Sequence, residues 1–139
     1  MDFPITKKQY SLRQHPHYKL LGLSVAIVDA DTQNRSFYKQ KLEQASLLVR
    51  AYADFSEMLG IKDQEIHAVV FSPKIDRINN DIVILGRFIA ENPHLPVITI
   101  SQTMQELQLD AIMKLGTRLH INRDLSHPRD LLIALEQVI

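Results

Sequence analysis

The residues able to do chemistry stand behind short apolar runs. Asp29 and Asp31 flank Ala30 just after Leu23–Val28, and Ser72 follows Ile66–Phe71. Ser101 closes Val97–Ser101, while His120 and Arg123 lie within and just behind Leu119–Asn122. Two carboxylates this close supply hard oxygen for a cation, or they cap the helix behind them. A serine hydroxyl is a weak nucleophile unless a base takes its proton, and before Pro73 the Ser72 hydroxyl also serves to turn the chain. Arg123 carries a permanent charge that either pairs with Asp29 or Asp31 or stays solvated. His120 reads as a pH-sensitive rotamer switch or as a partly exposed bystander.

The pattern between these segments says what holds them. Leu23–Val28 is a nearly unbroken apolar run with β-branched residues, which suits a strand buried on both faces. Leu47–Ala51, Ile66–Phe71, Val97–Ser101 and Leu119–Asn122 read as four more strands. Helical spacing follows each strand: Tyr38, Leu42 and Ala45, then Phe55, Met58 and Leu59, then Ile82, Leu85 and Ile89. Leu107, Ala111 and Leu115 mark a fourth helix, and Leu131, Leu135 and Val138 a fifth. Asp31 or Thr32 can cap the first helix, and Asp54 with Glu57 resembles a capping box before a helix that Gly60 closes. Asn92-Pro93 ends the third helix, Gly116 ends the fourth, and Ser126 or His127 before Pro128 opens the fifth. Five strands alternating with five helices imply a parallel sheet and, with right-handed crossovers, an α/β three-layer sandwich. Functional groups in such sheets gather at the carboxyl ends of the strands, where Asp29, Ser72, Ser101 and Arg123 stand.

Composition removes most other chemistries. A length of 139 residues suits one domain, and an apolar content of 45% gives it a real core. Sixteen basic residues balance sixteen acidic ones, so no global field attracts nucleic acid, and no direct nucleic-acid contact is expected. The absence of cysteine excludes thiol nucleophiles and thiolate metal sites, and four glycines leave no Gly-rich phosphate loop. Apolar runs of strand length predict no membrane span, and no apolar block marks a secretory signal, so a cytoplasmic location is expected. Residues 1–20 show neither period and read as an N-terminal extension, partly disordered or draped over a domain at 21–139. His15 and His17 within it are too isolated to be read as a metal site.

From Gly22 onward the chain resembles the receiver domain of two-component response regulators. The likeness is carried by AIVDADTQNR, HAVVFSPKI, AENPHLPVITIS, and GTRLHINRD followed by SHPRDLLIALEQVI. It implies a flavodoxin-like (βα)5 fold with strand order 2-1-3-4-5. In receivers, first-strand carboxylates and a third-strand aspartate hold Mg2+, and that aspartate takes a phosphoryl group. A fourth-strand Ser or Thr and a fifth-strand Lys bind the phosphoryl oxygens. Carried across, Asp29 fills the first acidic position, Ala30 the second, and Asp31 lies one residue further on. The phosphoacceptor position falls on Ser72, the hydroxyl on Ser101, the aromatic switch on His120 and the lysine on Arg123, followed by Asp124 in place of proline.

A missing acceptor, a halved acidic pair and Arg for Lys all strike the same reaction. The resemblance therefore implies a degenerate form, or pseudo-receiver. It is expected to be neither an enzyme nor phosphorylated on aspartate, and to need no cofactor, residual Mg2+ at Asp29 and Asp31 being the weaker alternative. Such a module works through protein surfaces, controlling a partner or a fused output domain. The fourth helix, fifth strand and fifth helix offer a face for that purpose or for a homodimer, with Gln102, Gln105, Gln108, Arg118 and Arg129 as candidates. Two alternatives stay open: a Mg2+-dependent receiver with a non-standard acceptor, and a receiver fold that senses a small ligand near Arg123.

Overall fold

The computed structural model describes residues 18–59 and 65–139. Five strands, β1 (Ser24–Val28), β2 (Leu48–Tyr52), β3 (Ala68–Phe71), β4 (Val97–Ser101) and β5 (Leu119–Asn122), alternate with five helices. The helices are α1 (Thr32–Gln44), α2 (Phe55–Leu59), α3 (Ile78–Glu91), α4 (Glu106–Lys114) and α5 (Arg129–Val138). All strand pairs are parallel and the sheet order is β2-β1-β3-β4-β5. This is the α/β sandwich that the alternation implies, with the flavodoxin-like strand order that the resemblance implies.

Strand side chains point to opposite faces in turn, and the two faces build two cores. Val25, Ile27, Val70, Ile98 and Ile100 face α1 and α5 through Tyr38, Leu42, Leu131 and Leu135. Ala26, Val28, Val69, Phe71 and Val97 face the other way, against Phe55, Met58, Leu85, Phe88 and Ile112 of α2, α3 and α4. Burying each large aliphatic or aromatic side chain is worth about 1.5–3 kcal/mol, so these two layers carry the fold. Phe55 stacks on Phe88 at 4.4 Å between centroids and lies 4.8 Å from Phe71, which seats the short α2.

Caps set the helix ends. The Asn34 N–H donates to Asp31 Oδ1 at 2.9 Å, so Asp31 is the cap of α1. The Glu57 N–H donates to Asp54 Oδ1 at 2.8 Å, while Glu57 reaches back to the Ala53 N–H at 3.4 Å. Gly60, expected to close that helix, lies outside the described residues, as do His15, His17 and most of the N-terminal extension. Tyr18–Leu20 form a 3-10 turn, and Leu20 is fully buried in the α1/α5 core.

Two expectations need correction. β2 and β3 begin one and two residues later than the apolar runs, because Leu47 packs inward before the ladder starts and His67 bonds to Ser24 ahead of it. Of Leu107, Ala111 and Leu115, expected along α4, Leu115 packs inward but Leu107 does not, and Ile112 takes the buried position. Leu107 is 82% exposed, Ile112 is fully buried, and Leu115 lies against Gly86 of α3. A Cβ on Gly86 would stand 3.0 Å from Leu115 Cδ2, so the missing side chain there lets α4 approach and sets its rotation. Among the described residues, no helix is long and apolar enough to cross a membrane.

Candidate functional site

The parallel register brings the carboxyl ends of the strands together. Val28 pairs with Phe71, so Asp29 and Ser72 emerge side by side, each tied by its own N–H to a neighbouring strand. Both are buried, Asp29 at 1% and Ser72 at 4% exposure. β5 delivers Arg123 to the same place, in a 3-10 turn spanning Arg123–Leu125.

The centre of the site is a charge cluster. Asp29 Oδ1 accepts from the Asp31 N–H at 2.8 Å and from the Lys74 ammonium at 2.5 Å. Asp29 Oδ2 has no hydrogen-bond partner, and Arg123 Nη2 stands 4.0 Å from it. The Ser72 hydroxyl oxygen accepts from Arg123 Nη2 at 3.0 Å and lies 3.4 Å from Lys74 Nζ. Arg123 Nε donates to the Tyr38 hydroxyl of α1 at 3.2 Å, and Arg35 Nη1 donates to the Asp29 carbonyl at 2.7 Å. Lys74 is itself pinned: its backbone N–H donates to Asp81 Oδ2 at 2.8 Å, and Asp81, buried at the start of α3, also pairs with Arg77 at 3.6 Å.

Asp31 stands apart from that cluster. Its carboxylate is exposed and engaged in capping α1, and the Asn34 N–H holds it below the usual carboxylate range, helped by the fields of Lys74 and Arg123. Ser101 also turns away. Its hydroxyl donates to the Gln102 carbonyl at 2.7 Å and lies 3.5 Å from His120 Nε2, instead of bonding Ser72 or Arg123. His120 Nδ1 meets Thr99 Oγ1 at 2.8 Å, and burial pushes the imidazole below its ordinary value. The loop after β5 contains no cis peptide. Asp124 there accepts from the Thr103 N–H and hydroxyl at 2.8 and 3.0 Å, which holds its carboxyl below the usual range. The loops after β4 and β5 are thereby stitched together.

Mg2+ fits this site poorly. It needs about six hard oxygens in near-octahedral geometry. Asp29 offers one buried carboxylate, Ala30 and Ser72 offer no charge, and Asp31 is committed to its cap. A divalent ion against Asp29 would also meet Lys74 and Arg123, and each pair of like unit charges at ~4 Å costs roughly 4 kcal/mol at an effective dielectric near 20. Among the described residues, no cluster of three or more His, Cys, Asp or Glu side chains is arranged for a metal.

Sequence reasoning reached Asp29, Ser72 and Arg123 but gave no role to Lys74 or Asp81. The available signal was a long cationic side chain two residues beyond a neutral strand-end hydroxyl. Loop geometry decides where such a side chain points, and spacing alone does not.

No protein-family model and no curated protein matches the chain. Solved structures do. A CheY-like response regulator receiver domain protein from Methanospirillum hungatei JF-1 is 22% identical with a TM-score of 0.72, covering 84% of this chain and 92% of that one. A response regulator from Thermotoga maritima is 18% identical with a TM-score of 0.73, over 86% of this chain and 98% of that one. RcsB from Salmonella enterica serovar Typhimurium, solved bound to a promoter with phosphomimetic BeF3−, is 18% identical with a TM-score of 0.71, covering 84% of this chain and 68% of that one. The fold is that of response-regulator receiver domains.

Proposed function

We propose that this chain is a degenerate receiver domain of a signal-transduction regulator, cytoplasmic and non-enzymatic, that acts by binding protein without aspartyl phosphorylation. One observation carries the reading: the group beside Asp29 at the end of β3 is the neutral hydroxyl of Ser72, fixed by Arg123 at 3.0 Å. A carboxylate attacks a phosphoryl donor as it stands, whereas a serine needs a base, and the nearest nitrogen groups here are cations that donate to it. Work is then left to surfaces. The α4–β5–α5 side presents exposed Gln102, Gln105, Arg118 and Arg129 together with Leu107 and Leu125, which are 82% and 83% exposed. Apolar side chains within a polar rim suit a modest protein interface, for a partner, a fused output domain or a second copy.

The test is intact-mass analysis after incubation with acetyl phosphate and Mg2+. The expected spectrum carries no added phosphoryl group. A stoichiometric adduct that hydroxylamine removes would refute the proposal, since it would place an acylphosphate on a carboxylate.

A further inference from the structure

We infer that the Lys74 ammonium is the built-in cation of this pocket, taking the place of a divalent metal and keeping one out. Four observations carry the inference. The ammonium lies 2.5 Å from Asp29 Oδ1, on the only buried carboxylate at the strand ends among the described residues, and 3.4 Å from Ser72. Its position is fixed from below, because the Lys74 N–H is held by the buried Asp81 carboxylate at 2.8 Å. Arg123 faces the second Asp29 oxygen at 4.0 Å, so both sides of the carboxylate look at positive charge. The ammonium is also well shielded, with the Lys74 side chain only 20% exposed. A compact, hydrogen-bonding cation on a flexible stem is what a carboxylate in this setting requires once neighbouring acids are gone, and lysine supplies it. Asp81 acts here as a positioning residue, and its burial in the first turn of α3 is favoured by the helix N-terminus.

The inference is independent of whether any group is phosphorylated, so its test uses no phosphoryl donor. Amide spectra of the full chain are recorded during titration with Mg2+, then with Mn2+ as a paramagnetic probe. Wild type, Lys74→Ala and Lys74→Arg are compared, each first checked for a native-like spectrum. Wild type and Lys74→Arg are expected to show no saturable change at Asp29, Asp31 or Ser72. Lys74→Ala is expected to gain saturable, localised broadening there, with affinity at least about 10-fold above wild type. Saturable Mg2+ binding by wild type at these residues overturns the inference. So does a Lys74→Ala spectrum that stays silent, for then something other than Lys74 excludes the metal. An Asp29→Asn/Lys74→Ala double variant must lose the gained site; retention of it also overturns the inference.

Discussion

Replacing Lys74 by Met keeps most of the unbranched stem and removes its charge. Asp29 would then remain 1% exposed, with Oδ1 accepting from the Asp31 N–H alone and Oδ2 facing Arg123 at 4.0 Å. Removing one partner of a buried ion pair typically costs about 3–5 kcal/mol. Two features reduce that here: Lys74 is 20% exposed, and Arg123 can move toward the orphaned carboxylate. The expected loss is about 2–3 kcal/mol, which for a domain of this size lowers Tm by roughly 6–12 °C. Asp29→Asn alone leaves Lys74 near a neutral amide with solvent in reach and costs less. The double variant Asp29→Asn/Lys74→Met should recover much of the loss, giving a coupling of at least about 1.5 kcal/mol in a double-mutant cycle. Urea unfolding at low and moderate salt provides the four stabilities. Additive single effects, or a Lys74→Met Tm within about 1 °C of wild type, would refute the argument that this pair is coupled and shielded.

Arg123→Ala removes the donors to Ser72 and Tyr38, and should cost about 1–3 kcal/mol in urea unfolding. Burial holds His120 below its ordinary value of 6.5, so the native state prefers the neutral ring. Below that pH the unfolded chain takes up the proton first, and stability falls until the lower native value is passed. The His120→Phe variant should therefore show a shallower loss of stability than wild type between neutral and mildly acidic pH. Asp124 is held below its ordinary 3.8 by Thr103, so the contact persists above that pH and is lost as pH falls through the lower native value. Asp124→Ala should raise hydrogen exchange at the Thr103 amide at neutral pH, while leaving β4 protected. Gly116 has φ +109° and its absent Cβ would stand 3.2 Å from Ile89, so Gly116→Ala should lower stability by about 1–2 kcal/mol in thermal unfolding.

The sheet was legible because its central strands, β1, β3 and β4, are buried on both faces. Val97–Ser101 and Leu119–Asn122 have the same bounds in sequence and structure, and the alternation with helices left little freedom in topology. α4 keeps Leu115 inward but turns Leu107 out, because three apolar residues over nine positions do not fix a rotation. Its face is chosen by a partner, the bare backbone of Gly86, which a local pattern does not reveal. At the site, residues standing directly behind strands were found by the geometry of parallel sheets, as Asp29, Ser72 and Arg123 illustrate. Lys74 escaped because it belongs to a loop and reaches Asp29 across 45 residues of sequence by the length of its stem. Its direction depends on Asp81, seven residues further on in another element, so two tertiary contacts had to be known before one side chain could be placed.

A dissolved ion occupies a site in proportion to its concentration, and a group carried by the same chain does not dilute. Lys74 confronts Asp29 at an effective concentration fixed by the fold, unaffected by the ionic content of the surroundings. A ligand shifts a conformational equilibrium only through a difference in affinity between two states. A permanently attached charge that never leaves offers no such difference to an external signal. On this reading the strand-end pocket is a constant, and the amount of active surface follows the number of molecules present. Control then passes to how many copies are made, how long they last and how much partner is available, quantities that act by simple mass action.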